Sequence, residues 1–375
     1  MMGDKPDEGI AKCFSPHLGT YLLSHSVGLP LRDAEQAAAA AFWQPWQSGN
    51  GDIWSHWLKA IDSFRAQLAT LLNGDLDSFC PQTSLSSAVA KIIDSLTLDK
   101  AKNTILLSEE DFPSIAFALQ KAGAGGYRLK FIPAQADTSE LNVWADHMTA
   151  DVGMVLVTHV QSNNGRQLPV QKITELSRSK GIISLVDIAQ SIAILPIDLQ
   201  AWSADSVVGS CVKWVGGGPG AAFMWVRPEI IARCEPQNVG WFSHADPFEF
   251  DIHQFKYADN ALRFWGGTPS VYPYVVAAHS LQFINSTGVD VIRAHNLLLC
   301  DKIIEALSPT QLVSPADVQS RSGTVIIHFG DHQETLVTRL QAQQVHFDSR
   351  AKGIRLSPHL CNSSQQIEAL IGLLK

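Results

Sequence analysis

Short apolar runs alternate with amphipathic segments between residues 80 and 230, and this alternation restricts the fold more than any other feature of the sequence. The runs have strand length and lie at 104–107, 127–132, 153–157, 182–186 and 206–209. The segments between them have helical periodicity: in 87–96 the apolar residues share one face, and 169–180 ends at Gly181, a helix-terminating residue. The alternation predicts an α/β fold with a mostly parallel sheet and helices on both faces. Ligands bind such sheets beyond the carboxyl ends of the strands.

The order of the predicted elements changes after about residue 270. A helical stretch continues through Leu281 and Leu307, and the segments that follow are a strand at 324–329, a helix at 333–343, extended chain at 345–356 and a helix at 364–374. This order is typical of a smaller α+β domain. We therefore predict an N-terminal arm and helix (helix at 32–43) over residues 1–48, packing on the small domain or a dimer partner. We predict a large domain over 49–268 and a small C-terminal domain over 269–375.

Composition and charge limit the classes of function. Of the 375 residues, 46% are hydrophobic and only 17% are charged, which excludes general disorder and indicates that another subunit covers part of the surface. The net charge of −8 disfavours nucleic acid or an anionic membrane surface as a partner, so an anionic substrate needs local positive groups. We expect no signal peptide and no membrane span. Six scattered cysteines, and thirteen histidines without metal-ligand spacing, predict a reduced, cytoplasmic protein without a metal site.

Two residues at predicted strand ends could carry chemistry together. Lys213 follows an apolar strand among uncharged neighbours, so burial should lower its pKa and make its amine a nucleophile. A hairpin with one lysine reaching solvent explains Lys213 alone equally well. Asp187 ends the run 182–186, where it could cap a helix or face a cationic ring nitrogen. A buried carboxylate for a pyridinium together with a lysine that forms a Schiff base is the protein part of pyridoxal phosphate chemistry.

Other residues could complete such a site, and each has a plainer explanation. The hydroxyl-rich segment 83–87 opens an amphipathic helix without acidic residues and could bind a phosphate, although its serines could be ordinary helix caps. Phe112 follows the strand at 104–107 and could cover a cofactor ring or belong to the core. Arg355 lies between apolar residues and could bind a substrate carboxylate or be a solvated arginine on an edge strand.

Four tryptophans, Trp43, Trp46, Trp54 and Trp57, form two pairs at a spacing of three residues. This spacing predicts that they pack a helix onto the core. A pocket wall or a dimer contact is the alternative.

Longer motifs carry a resemblance to a known family. Leu-Val-Asp-Ile-Ala-Gln-Ser at 185–191, Val-Lys-Trp at 212–214 and the glycine run 216–220 resemble class V aminotransferases. Within that family, Asp-Phe-Pro-Ser at 111–114, Thr-His-Val at 158–160, Gly-Trp-Phe-Ser-His at 240–244 and Arg-Phe-Trp-Gly-Gly-Thr-Pro at 263–269 are most similar to kynureninases. The matches extend from Tyr21 to Asn362.

The resemblance implies a pyridoxal 5'-phosphate enzyme of fold type I, with a mostly parallel seven-stranded sheet in the large domain and a smaller C-terminal α+β domain. It implies that Lys213 forms the Schiff base with the cofactor and is the base for the substrate, leading to a quinonoid intermediate, while Asp187 keeps the pyridine nitrogen protonated. It also implies a homodimer with shared active sites. The remaining implied roles are phosphate binding by Leu85, Ser86 and Trp241, with Thr268 from the partner; ring stacking by Phe112; contacts to ring substituents by Thr158 and Gln190; and binding of the substrate carboxylate by Arg355.

Several positions differ from the kynureninase pattern. Gln190 replaces a histidine, Ile115 an aspartate, and Val212 and Cys361 each replace a tyrosine. The tyrosine before the lysine is implicated in acid–base work, so we favour transamination or a related Cα–H reaction on a small or aromatic L-amino acid. The alternatives are kynurenine hydrolysis to anthranilate and alanine, and a catalytically silent protein that binds pyridoxal phosphate. Cysteine desulfuration is disfavoured, because the segment 341–354 contains no cysteine.

Overall fold

A computed structural model describes residues 7–49, 51–122 and 126–375, so the first six residues of the predicted arm lie outside the described part. The architecture is α/β, as predicted, and its centre is a seven-stranded sheet in the order β2-β8-β7-β6-β5-β3-β4. Strands β7, β6, β5, β3 and β4 are parallel to one another, and β8 is antiparallel to both β7 and β2. In chain order the strands of the molecule are β1 (Thr20–Tyr21), β2 (Phe79–Gln82), β3 (Thr104–Ser108), β4 (Arg128–Ile132), β5 (Val152–Thr158), β6 (Ile183–Asp187), β7 (Ser206–Ser210), β8 (Ala222–Val226), β9 (Val325–Ile327), β10 (Val345–His346), β11 (Asp348–Arg350) and β12 (Gly353–Leu356).

The five apolar runs of the sequence are all strands of this sheet, within one residue at each end. Strand β2 was not predicted. It is four residues long and contains Pro81, and a proline is tolerated there because β2 is the edge of the sheet. The sequence pattern of β2 is therefore too short and too atypical to indicate a strand.

Helices cover both faces of the sheet, and two separate apolar clusters fill the space between them. The predicted helices 87–96 and 169–180 are α5 and α8, and Gly181 ends α8 with φ +64. The helices are α1 (Asp7–Ala11), α2 (Ala34–Ala38), α3 (Gln44–Gln47), α4 (Ile53–Leu72), α5 (Leu85–Ser95), α6 (Pro113–Ala122), α7 (Leu141–His147), α8 (Val170–Ser179), α9 (Pro228–Ile231), α10 (Tyr272–Thr287), α11 (Val289–Glu305), α12 (Gln333–Ala342) and α13 (Ser364–Leu374).

The C-terminal part contains a three-stranded antiparallel sheet, β11-β12-β9, and has its own apolar cluster. The N-terminal segment joins this cluster, because Leu22 is buried in it and β1 pairs with β10. Helix α10 packs against α4 and buries Tyr274 and Leu281 in the larger cluster. The range predicted as the small domain, 269–375, thus begins with a helix whose apolar face lies in the large core.

The helix predicted at 32–43 is not a uniform α-helix. Helix α2 continues as a π-helix over Ala39–Trp43 before α3 begins. In this wider turn the Phe42 ring stacks on Trp57, with ring centroids 5.2 Å apart and planes at 13°. Trp43 and Trp46 also stack on each other and remain about half exposed. Within the described residues, no helix is both long enough and apolar enough to cross a membrane.

Candidate active site

A cavity of about 210 Å³ lies at the carboxyl edge of the central sheet. Its position agrees with the rule that ligands of parallel sheets bind beyond the strand ends. Seven of the ten residues singled out from the sequence contribute to its wall. The lining residues are Ser84, Leu85, Ser86, Phe112, Ser114, Ile115, Thr158, Val160, Ser162, Asp187, Ala189, Gln190, Ser210 and Lys213.

The sheet register brings polar side chains to this edge from neighbouring strands. Thr158 ends β5 and Asp187 ends β6, and the two residues are direct partners across the strand pair. Ser210 ends β7, the next strand, and also lines the cavity. Sequence reasoning missed Ser210, although the rule that selected Asp187 applies to it equally. Thr158 Oγ1 is buried and lies near the Asp111 carboxyl group, but no hydrogen bond of normal geometry satisfies it, so a ligand in the cavity can use it.

Lys213 lies in the turn after β7, and two glycines fix this turn against the N-terminal segment. Gly28 N–H donates to the Val212 carbonyl, and a Cβ on Gly28 would lie 2.0 Å from the Lys213 carbonyl oxygen. Gly216 has φ +66, and a Cβ there would lie 2.4 Å from the Leu29 carbonyl oxygen. Both positions therefore require glycine. These close backbone contacts hold Lys213 at the edge of the sheet.

Burial shifts the pKa values of Lys213 and Asp187 in opposite directions. Desolvation lowers the pKa of Lys213, as its apolar sequence context predicted, and the Asp187 carboxylate opposes this shift. Desolvation likewise raises the pKa of Asp187, against the charge of Lys213 and a hydrogen bond from Ala189 N–H at 2.7 Å. Both shifts favour the neutral forms. The arrangement supplies an amine able to attack carbon and a carboxyl group ready to receive a cationic partner.

The start of helix α5 closes one end of the cavity. Ser84 is the N-cap, and its side chain accepts a hydrogen bond from Ser87 N–H at 3.1 Å. The backbone N–H groups of Leu85 and Ser86 are among those that have no acceptor within a helix. With no acidic residue in the first turn, this end is suited to a phosphate.

Phe112 forms a further wall, with 36% of its surface exposed rather than buried in the core. The Lys213 ammonium nitrogen lies 5.7 Å from the centroid of its ring. Gln190 lines the cavity near Asp187, and its Nε2 donates to the His25 carbonyl at 3.1 Å. The positions of Phe112 and Gln190 thus suit contacts to a planar ring and its substituents.

Asp111 is a buried acid beside the cavity that the sequence indicated only as part of a motif. It accepts hydrogen bonds from Ser108 N–H at 2.8 Å and Gln161 Nε2 at 3.0 Å. Burial raises the pKa of Asp111 to about 6. It stands next to Phe112 at the end of β3, so strand position was again the available signal.

Arg355 is close to the site but is not among the residues lining the cavity. Its Nε and Nη2 atoms donate to the two carboxylate oxygens of Asp348, and Nη1 donates to the Ser162 carbonyl. The side chain is 2% exposed. His25 Nε2 also contacts Asp348, at 2.9 Å, which completes a buried network that sequence reasoning did not predict. The solvated edge-strand alternative for Arg355 is therefore wrong.

Trp241 and Thr268 do not reach this cavity within one chain. Trp241 packs in an aromatic cluster, with its ring 5.4 Å from Trp54 and 4.4 Å from Phe242. Thr268 lines a smaller cleft of about 100 Å³ together with Thr83 and Ser87, next to the start of α5. Among the described residues, no cluster of histidine, cysteine or acidic side chains could hold a metal ion.

Comparisons with known proteins agree with this architecture. Residues 47–368 match the family model described as aminotransferase class-V. An uncharacterized aminotransferase of Bacillus subtilis, YcbU, is 27% identical over 86% of this chain and 85% of its own length. A protein named kynureninase from Deinococcus radiodurans is 28% identical over 78% of this chain and 71% of its own length.

Solved structures confirm the fold. An apo cysteine desulfurase from Thermococcus onnurineus superposes with a TM-score of 0.84 at 18% identity, covering 95% of this chain and 94% of its own. A mutant of C-DES, with glycine covalently linked to its PLP cofactor, superposes with a TM-score of 0.85 at 21% identity, covering 95% and 96%. At these identities the likeness concerns the fold alone.

Proposed function

This chain belongs to the class V aminotransferase family, and we propose that it is a pyridoxal 5'-phosphate enzyme that acts on a small or aromatic L-amino acid by transamination or a related Cα–H reaction. The observation that carries the proposal is the pair of Lys213 and Asp187 on the wall of one cavity at the carboxyl edge of the sheet. Burial disfavours the charged form of both residues, and ionisable groups with pKa values shifted in this way inside a cavity are typical of functional sites.

The residues of the cavity fit the cofactor. A lysine amine, a buried carboxyl group, helix N–H groups and an aromatic wall are the groups that such a molecule requires. Thr158 Oγ1, which is buried at the wall of the cavity, adds a hydroxyl able to pair with a ring substituent. We assign the phosphate to Leu85 and Ser86, the ring face to Phe112, and the ring substituents to Thr158 and Gln190.

When bound, pyridoxal phosphate supplies an aldehyde carbon and an electron-withdrawing ring. Lys213 Nζ would hold the cofactor covalently and would be the base that accepts the proton from the substrate Cα. Asp187 would hold a proton on the pyridine nitrogen by presenting a buried carboxylate to it. Burial lowers the pKa of Lys213, and this direction favours the neutral amine that the proton transfer needs.

We further propose a homodimer in which the partner completes the phosphate end. Thr268 lies beside the start of α5 but lines a different cleft from Lys213, so we assign this hydroxyl to the phosphate end of the partner's site. Trp241 is assigned to the same phosphate end. We place the protein in the cytoplasm, because all six cysteines are free thiols, five of them buried.

Kynureninase is the second candidate, supported by the identity to proteins of that name. Its expected acid groups are missing here. Val212 offers no hydroxyl before the lysine, and burial raises the pKa of the Cys361 thiol to about 12, so this thiol is a poor proton donor. We therefore favour the Cα–H reaction.

A visible absorption scan during addition of L-kynurenine, followed by assays for anthranilate and alanine, separates the candidates. We expect a change in the cofactor band without anthranilate. Anthranilate formation would establish kynurenine hydrolysis instead. Exchange of the α-proton in heavy water then tests catalysis: a protein that holds the cofactor but exchanges no amino acid proton is catalytically silent, and a protein that cannot bind the cofactor contradicts the proposal.

A further inference from the structure

The β11–β12 hairpin carries three charged residues on one face beside the cavity. Asp348 and Arg350 are two residues apart on β11, so their side chains point to the same side of the strand. Arg355 is the direct partner of Asp348 on β12 and shares that side. Gly353 is the partner of Arg350, so no side chain opposes this arginine. The hairpin therefore presents two guanidinium groups and one carboxylate together.

The Asp348 carboxylate forms its hydrogen bonds with Arg355 rather than with Arg350. Both Asp348 oxygens accept from Arg355, and one of them also accepts from His25 Nε2 at 2.9 Å. Arg350 Nε lies 4.0 Å from Asp348, beyond hydrogen-bond distance. Arg350 thus makes only a long ion pair, with a carboxylate that Arg355 and His25 already occupy, so two guanidinium groups share one negative charge.

The hairpin holds Arg350 over the wall of the active site. The centre of its guanidinium group lies 5.8 Å from the centroid of the Phe112 ring, which lines the cavity. An ion pair of 2.7 Å between Lys352 in the hairpin turn and Glu110 fixes this position, because Glu110 is two residues before Phe112. The positive charge of Arg350 also helps to lower the pKa of Lys213, which places both groups in one electrostatic environment.

Charge balance indicates what Arg350 can bind. Lys213 faces Asp187 and Arg355 faces Asp348, so Arg350 is the surplus cation at this end of the site. A monocarboxylic amino acid has no net charge and leaves that surplus unbalanced, whereas a dicarboxylic amino acid brings one negative charge. The side chain of Arg350 is 41% exposed, so it can reorient to meet a ligand.

We propose that Arg350 determines specificity by binding a side-chain carboxylate, so that the preferred substrates are L-amino acids with a second acidic group. This inference rests on the proposed function. A charge-assisted, bidentate contact of this kind should favour the acid over its neutral amide by roughly 10- to 100-fold in affinity.

The test compares substrates of equal shape and different charge on the enzyme loaded with pyridoxal phosphate. L-glutamate is paired with L-glutamine and L-aspartate with L-asparagine, and the concentration that half-changes the visible cofactor band is measured for each. We expect the wild type to prefer the acids. Arg350→Gln should abolish this preference with little effect on the amides, and Arg350→Lys should retain part of it. Arg128→Gln, at an exposed arginine on β4, is the matched control and should leave the preference unchanged.

Three results would overturn the inference while leaving the proposed function intact. Equal binding of acids and amides by the wild type shows that the site does not bind a second carboxylate selectively. Equal weakening of acids and amides in Arg350→Gln gives Arg350 a role common to all substrates, such as binding the α-carboxylate. If Arg350→Gln keeps a strong preference for the acids, Arg350 does not bind the side-chain carboxylate. A cofactor band that no amino acid changes overturns the proposed function itself, and this inference with it.

Discussion

The two sides of the cavity are built in different ways. On the sheet side, Asp187, Thr158 and Lys213 are placed by consecutive parallel strands, and each lies at or just after a strand end. On the hairpin side, Arg355 is placed by Asp348 and His25, which are 323 residues apart in sequence. The sheet side uses the topology of the fold to hold reactive groups, and the hairpin side uses a buried charge network. Substitutions should therefore act on chemistry in the first case and on stability and selectivity in the second.

Removal of the lysine should have the largest effect. Lys213→Ala deletes the amine that holds the cofactor and moves the proton, so we expect loss of the covalently bound cofactor band and a fall in activity of about 10²- to 10⁴-fold or more. Borohydride reduction followed by peptide mass analysis locates the attachment. Lys100→Ala, at an exposed lysine, should behave like the wild type. Persistence of the covalent cofactor in Lys213→Ala would refute the assignment.

A substitution of Thr268, which we assign to the phosphate end, tests whether one chain supplies the whole of the sheet side. Thr268→Ala should weaken cofactor binding by roughly 10- to 100-fold, the usual cost of a lost hydrogen bond to a charged group. If Thr268 acts across a dimer interface, mixed dimers of Lys213→Ala and Thr268→Ala subunits contain one intact site and regain activity. The measurement is activity after unfolding and refolding the two variants together, at a cofactor concentration that saturates the wild type but not Thr268→Ala. A mixture in which mixed dimers are shown to form, but whose activity does not exceed that of Thr268→Ala alone, would place Thr268 in the site of its own chain.

Asp348→Asn tests the hairpin side. The substitution leaves the guanidinium of Arg355, which is 2% exposed, without its counter-charge, and we expect a loss of about 1–3 kcal/mol in unfolding free energy. An amino acid substrate should restore more stability to this variant than to the wild type, because its carboxylate can replace the lost partner. Thermal unfolding with and without amino acid measures both effects.

Asp301→Asn is the matched control, since Asp301 pairs with the similarly buried Arg321 away from the cavity. It should lose stability without any altered response to the amino acid. The same response to amino acid in Asp348→Asn and the wild type would remove Arg355 from substrate binding.

The contrast between the two sides also explains how far the sequence predicts the site. Asp187 and Lys213 follow apolar strand patterns, which are local signals, and the family motifs add Thr158 and Gln190. Ser210 ends a predicted strand and could have been found by the same rule. Asp348 and His25 have no local signal, because their role arises only when distant segments meet. Strand β2 was missed for a related reason: its short, proline-containing sequence becomes a strand through pairing with β8.

The smallest expected effect concerns Asp111, a buried acid at the sheet side. Its pKa is raised by burial to about 6, above the value of about 3.9 for an unfolded chain. A raised pKa means that Asp111 favours folding most below pH 4 and loses this contribution as the pH rises through 6. Asp111→Asn stays neutral at every pH. After rotation of the Gln161 amide, the amide of this variant can donate to Gln161 Oε1, and this bond replaces the one that Asp111 now accepts from Gln161 Nε2.

We therefore expect Asp111→Asn to be more stable than the wild type by about 1–2 kcal/mol above pH 6, with the difference shrinking toward pH 4. Thermal unfolding across this range measures it. Asp151→Asn gives a control of opposite sign: a hydrogen bond from Thr149 lowers the pKa of Asp151 to about 2, so its variant should lose stability above pH 4. A loss of stability in Asp111→Asn at pH 8 would show that the ionised carboxylate has a partner at the site, and would make Asp111 part of the charge balance around Lys213.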